Sequence, residues 1–161
     1  MPILNTDIKW YHSTGKLGGA KTTTIFQSGV KHDLFDKFTA AEALAGGTYY
    51  AAVFVQNTHA SLLAEVVKLY IASQTPSADT LVEVGLAPEG VNSAVQAIAN
   101  ENTAPTGVTF TAPADLAGGI AVPNLAAGDY IGLWIKLTLD VNTAAAANDG
   151  FTLDTYLEYT E

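Results

Sequence analysis

Apolar and polar residues alternate along much of this chain with the period of two that a half-buried strand requires, and Gly, Pro and Asn interrupt the alternation at short intervals. Residues 48–56 (TYYAAVFVQ) are rich in β-branched and aromatic side chains between Gly46-Gly47 and Asn57-Thr58, which predicts a strand. Residues 80–86 (TLVEVGL), after the turn signal Thr75-Pro76-Ser77-Ala78-Asp79, predict another, and 107–111 (GVTFT), between Pro105 and Pro113, a third. The alternation is most regular in 130–139, where Ile131, Leu133, Ile135, Leu137 and Leu139 fall on one face and Trp134 and Lys136 on the other. Residues 151–159 alternate similarly after Asn148-Asp149-Gly150.

The stretch 61–72 fits two periods. Leu62, Leu63, Val66 and Tyr70 lie near one helical face, whereas Leu63, Val67, Leu69 and Ile71 line one strand face. Flanking turns at strand-like spacing and the adjacent pair Val66-Val67 favour the strand. Residues 40–45 (AAEALA), before Gly46, suit a helix of a turn or two. About eight short strands, with no βαβ alternation and no internal repeat, predict an all-β fold: an antiparallel two-sheet β-sandwich, jelly-roll-like.

Charge divides the chain. Residues 1–37 hold five lysines against three aspartates, a balance of +2, whereas 38–161 hold two lysines against thirteen carboxylates, a balance of -11. The first segment also contains the connector-like run Ser13-Thr14-Gly15-Lys16-Leu17-Gly18-Gly19, so 1–37 reads as an extended N-terminal arm with the first strands and 38–161 as the sandwich body. The competing reading is that these lysines decorate a solvated edge strand. With 161 residues, 48% of them hydrophobic, the chain has enough apolar material for a sizeable core. It has no cysteine, which excludes disulfides and thiolate chemistry. It also has no arginine, and with a net charge of -9 no nucleic-acid partner is expected. The N-terminus lacks a signal-peptide pattern and no run approaches roughly 20 apolar residues, so no membrane partner is expected either.

Motifs for enzymatic chemistry are missing: there is no phosphate loop, no Gly-x-Ser-x-Gly elbow and no His-Glu-x-x-His, which favours a non-enzymatic protein without cofactor or metal. His12, His32 and His59 would have to converge to hold zinc, and a polar turn is the simpler setting for His59. Asp79, Glu83, Asp149, Asp154 and Glu158 are candidates for a glycosidase-like pair, although solvated carboxylates are expected throughout so acidic a body. Asp140-Val141-Asn142-Thr143 offers oxygen ligands but lacks the glycine and terminal glutamate of a calcium loop. Trp10-Tyr11, Tyr49-Tyr50 and Trp134 suggest sugar stacking, against the commoner role of strand aromatics in packing.

Several strings, in order, carry a resemblance: Leu17-Gly18-Gly19-Ala20, Leu34-Phe35-Asp36, Ala41-Glu42-Ala43, Gly46-Gly47-Thr48-Tyr49, Val55-Gln56-Asn57-Thr58-His59 and Thr75-Pro76-Ser77-Ala78-Asp79-Thr80. They continue with Glu83-Val84-Gly85-Leu86, residues 98–110 (IANENTAPTGVTF), Ala126-Ala127-Gly128-Asp129-Tyr130 with Trp134, and Asn148-Asp149-Gly150-Phe151-Thr152-Leu153. Together, over about 7–158, they resemble a group of tailed-bacteriophage virion structural proteins.

That resemblance implies a β-sandwich of the phage particle with no catalytic residues to carry over. The expected role is a capsid decoration (cement) protein, bound on the outer surface of the head across joints between shell subunits. The expected partners are the major capsid protein and further copies of this chain, as a dimer or trimer. Segment 1–37 is then the expected contact region, with Lys9, Trp10, Lys16, Lys21 and Lys31 as partner-binding residues. The alternative within the resemblance is a tail, neck or fibre component with a glycan-binding sandwich.

Overall fold

The structure, a computed structural model, describes residues 2–141 and 150–159, the last three by backbone alone. Its strands are β1 (Ile8–Ser13), β2 (Lys21–Ile25), β3 (Gly47–Asn57), β4 (Ala64–Ser73), β5 (Thr80–Leu86), β6 (Ile120–Ala121), β7 (Tyr130–Leu139) and β8 (Thr152–Tyr159), with one helix, α1 (Ala40–Ala45), ahead of β3. The fold is all-β. Five strands form one antiparallel sheet in the order β2-β1-β3-β7-β5, and three form a second in the order β6-β4-β8. From β3 onward, every connection passes from one sheet to the other.

One hydrophobic core is shared by the two sheets. Val53 and Val55 of β3, Val82 and Val84 of β5 and the predicted face of β7, from Ile131 to Leu139, meet Val67, Leu69 and Ile71 of β4. Full burial of each such side chain contributes roughly 1.5–3 kcal/mol. Leu63, expected on that inner face, is instead 37% exposed. The cause is a bulge in β4: Val66 has φ +50 where the register with β8 shifts between Glu65 and Lys68. The extra residue inverts the alternation, so that Ala64 and Val67 both point inward while Val66 is left outside.

The outer face of the five-stranded sheet is covered as well. Trp134 lies on the face opposite Ile135, as its period requires, yet is 0% exposed, packed with Ala52, Phe54, Ala87, Val95 and Ile98. The cover is the long excursion between β5 and β6. Gly85 and Gly132 provide its seat: a Cβ on Gly132 would stand 2.1 Å from Val95 Cγ1, and one on Gly85 2.4 Å from Val108 Cγ1. Residues 107–111, expected as a strand, lie within this cover and pair only at one bridge, Val84 with Thr111. Gly107 at φ +75 and Pro113 bracket the stretch and prevent a longer ladder.

The expected extended arm over 1–37 narrows in the same way. β1 pairs with β3 over five residues, and Ile3, Ile8, Leu34 and Phe35 enter the main core, because this segment's apolar residues have nowhere else to bury. What stands away from the sheets is the short excursion after β2, around residues 27–33. A capping box closes α1 at its start, with Glu42 N donating to Thr39 Oγ1 and Thr39 N to Glu42 Oε2, and Gly46 at φ +68 ends it. The Thr39 N–H, and with it the Thr39 hydroxyl donating to the same Glu42 Oε2 at 2.7 Å, hold the Glu42 carboxyl below the usual carboxylate range.

Candidate functional site

The five residues expected to bind a partner do not share one surface. Successive strand residues point to opposite faces, so Lys9 sits on the outer side of β1 and Trp10 on the inner, where Trp10 is half-buried against the main core. Lys21, at the start of β2, places its Nζ 4.1 Å from the Tyr11 ring centroid and 5.5 Å from that of Tyr130, on the same outer face as Lys9. Lys16 occupies the tight turn Thr14–Lys16 between the first two strands; its Nζ donates to the His32 carbonyl at 3.3 Å and lies 3.7 Å from Asp36 Oδ1. Lys31 is exposed in the excursion after β2 and forms no salt bridge among the described residues.

That excursion is clasped rather than loose. Asp33 Oδ2 accepts from Gln27 N at 3.0 Å, closing the loop on itself, while Asp33 Oδ1 meets His12 Nε2 at 3.0 Å. His12 is buried, with its ring edge-on to Phe26 at 5.5 Å between centroids, so the clasp ties the loop to the sheet. Leu34 and Phe35, both buried, anchor the far side. The loop tip presents Gly29, Val30 and Lys31, and Val30 is 50% exposed.

Beside the clasped loop is a depression of about 250 Å³. Its walls are largely apolar, from Leu17, Leu34, Tyr50 and Ala99, and Lys16, Asp36 and Glu101 contribute the charge. Glu101 is held in place where its backbone carbonyl accepts from Tyr50 N at 2.7 Å. Its carboxyl is pushed up from the usual carboxylate range, first by burial and then by the charges of Asp36 and Glu42, with Lys16 acting in the opposite sense. Tyr49 responds to the same environment: burial, then Glu42 and Glu101, raise its hydroxyl, against a lowering hydrogen bond from Asn102. Asp36 and Glu42 lie six residues apart, but Glu101 comes from a distant stretch, and no spacing in the sequence links it to them.

The other candidates are placed apart. His59 is occupied in a turn, its Nδ1 accepting from Ser61 N and Leu62 N, while His12 is taken by the clasp. Glu83 pairs with Lys136 at 2.5 Å, and Asp154 accepts from the Tyr70 hydroxyl at 3.0 Å. Asn142, Thr143 and Asp149 lie outside the described residues, as does the side chain of Glu158. Among the described residues no group of three His, Asp or Glu side chains is placed to hold a metal ion, and no helix is long and apolar enough to cross a membrane. The aromatic set is divided too: Trp134 and Tyr49 are buried, and Tyr50 packs on Phe110 with centroids 5.6 Å apart.

No family model, curated protein or solved structure matches this chain.

Proposed function

We propose that this protein is a non-enzymatic structural component of a tailed-phage particle, of the head-decoration type, binding the assembled shell as a small oligomer. The finer fold description belongs to the same reading: the two sheets form a jelly-roll-like sandwich, and the clasped loop after β2 is the contact element left from the expected arm. The observation that supports it is the ordered set of turn and strand-start strings running through most of the chain, on a molecule built of two antiparallel sheets about one core. An acidic, arginine-free body suits an outward-facing position better than contact with packaged nucleic acid. Binding to the assembled lattice and not to free subunits stabilises the lattice by mass action. Lys9 and Lys31, both exposed, are the lysines of the expected set most open to a shell subunit.

The test is the copy number of this chain in purified particles, by quantitative mass spectrometry against the major shell protein. A ratio near one supports decoration. A handful of copies moves the protein to the neck, tail or fibre, and absence from particles refutes a virion role.

A further inference from the structure

We infer that the clasped loop and the depression beside it form a two-fold interface between copies of this chain, with Val30 and Lys31 of one protomer seated in the depression of its partner. The loop supplies an exposed apolar side chain, Val30, next to Lys31, a cation without a salt bridge among the described residues. The depression supplies the complement, apolar walls from Leu17, Leu34 and Tyr50 with Asp36 and Glu101 at hand. Lys16 is the single cation in that lining, and its ammonium is already shared between the His32 carbonyl and Asp36. A second cation brought to Glu101 therefore meets a carboxylate crowded by Asp36 and Glu42.

Adjacency selects the symmetry. Leu34 lines the depression one residue beyond the clasp residue Asp33, and Lys16 touches both parts, so protrusion and recess belong to one patch. A patch that contains both halves of a complementary pair is self-complementary under a two-fold axis, whereas the same halves on opposite sides of a molecule would generate rings or filaments. The clasp lowers the cost of association, because Asp33 has already ordered the loop in the free protein. This inference extends the oligomeric part of the proposed function, and its test uses the isolated protein, so that it and shell binding fail separately.

Sedimentation of the purified chain over a concentration series at low and high salt is expected to show mass rising from 16.8 kDa toward twice that value, and rising less at high salt. Lys31→Glu sets like charges face to face and is expected to weaken the dimer by about tenfold or more, with an unchanged circular dichroism spectrum. Combining Lys31→Glu with Glu101→Lys is expected to restore it. A monomer at every concentration, a trimer or larger closed species, a dimer indifferent to Lys31→Glu, or a charge swap that fails to rescue would each overturn the assignment.

Discussion

Gly132→Ala tests whether the excursion between β5 and β6 is packed as a true layer on the five-stranded sheet. The added methyl would stand 2.1 Å from Val95 Cγ1, with Phe54 Cε1 at 3.3 Å and Ala87 Cβ at 3.4 Å closing the other directions. Ordinary contact begins at 3.4 Å, so the Val95 methyl must retreat by about 1.3 Å within a cluster of buried side chains. Overpacking of this kind costs about 1–3 kcal/mol. Val95→Ala alone removes two buried methyls and leaves a void, for a loss of about 2 kcal/mol. In the double variant the new methyl occupies the space that Val95 vacates, so its destabilisation is expected to fall short of the sum by about 1–3 kcal/mol. Urea titration followed by tryptophan fluorescence measures all four proteins, and Trp134 reports from inside the same cluster. Additivity to within about 0.5 kcal/mol would mean that Val95 does not rest on Gly132, and the layer would be refuted.

Asn57 is fully buried and its side chain makes three hydrogen bonds, donating to the carbonyls of Leu62 and Leu125 and accepting from His59 N, so Asn57→Ala is expected to cost about 2–4 kcal/mol. Asn57→Asp is expected to cost more, since a carboxylate offers those two carbonyls no donor; equal urea midpoints for the two variants would contradict the assignment. Ile135→Asp places an unpaired charge between the sheets, at a position with no exposure, and is expected to abolish soluble folded protein in an expression and circular dichroism comparison. Because its carboxyl is raised in the folded state, Glu101 contributes stability that is complete below the ordinary carboxylate range and is lost as pH rises through the raised value. Glu101→Gln is therefore expected to raise the thermal midpoint at about pH 7 and to have little effect near about pH 4, and the opposite ordering would show that Glu101 is stabilised as a carboxylate.

Much of the fold was legible because it depends on local alternation. The bounds of β5 and β7, the short helix before Gly46 and the strand character of β4 follow from residue pattern and turn chemistry alone. The bulge at Val66 was not legible, because β-branched residues give no sign of a positive φ, and it moved Leu63 to the surface. The second core was half legible: period two put Trp134 opposite Ile135, but nothing local announces that a distant, turn-rich segment will cover it. For the candidate site, the charge imbalance of 1–37 directed attention to that segment, yet alternation separates Lys9 from Trp10 and side-chain contacts tie down Lys16 and Lys21. The carboxylates near the depression were invisible in one dimension, since Asp36, Glu42 and Glu101 meet only after β3 has been placed.

The alternation of strands between sheets bears on how the chain reaches this structure. Among the described residues, β1 and β2 are the one pair of consecutive strands that hydrogen-bond to each other. The central strand β3, by contrast, gains its second neighbour from β7, with Gly47 opposite Leu139. During synthesis, an emerging chain therefore holds its central strand paired on one edge only, by β1, until residues near 139 have left the ribosome. Long loops must close before their contacts repay the lost entropy, so folding is expected to be slow and all-or-none, in the range of milliseconds to seconds typical of all-β proteins. Folding of this chain thus depends on keeping a long-lived, strand-rich nascent state from self-association, and the abundance of carboxylates along the body supplies mutual repulsion over that interval.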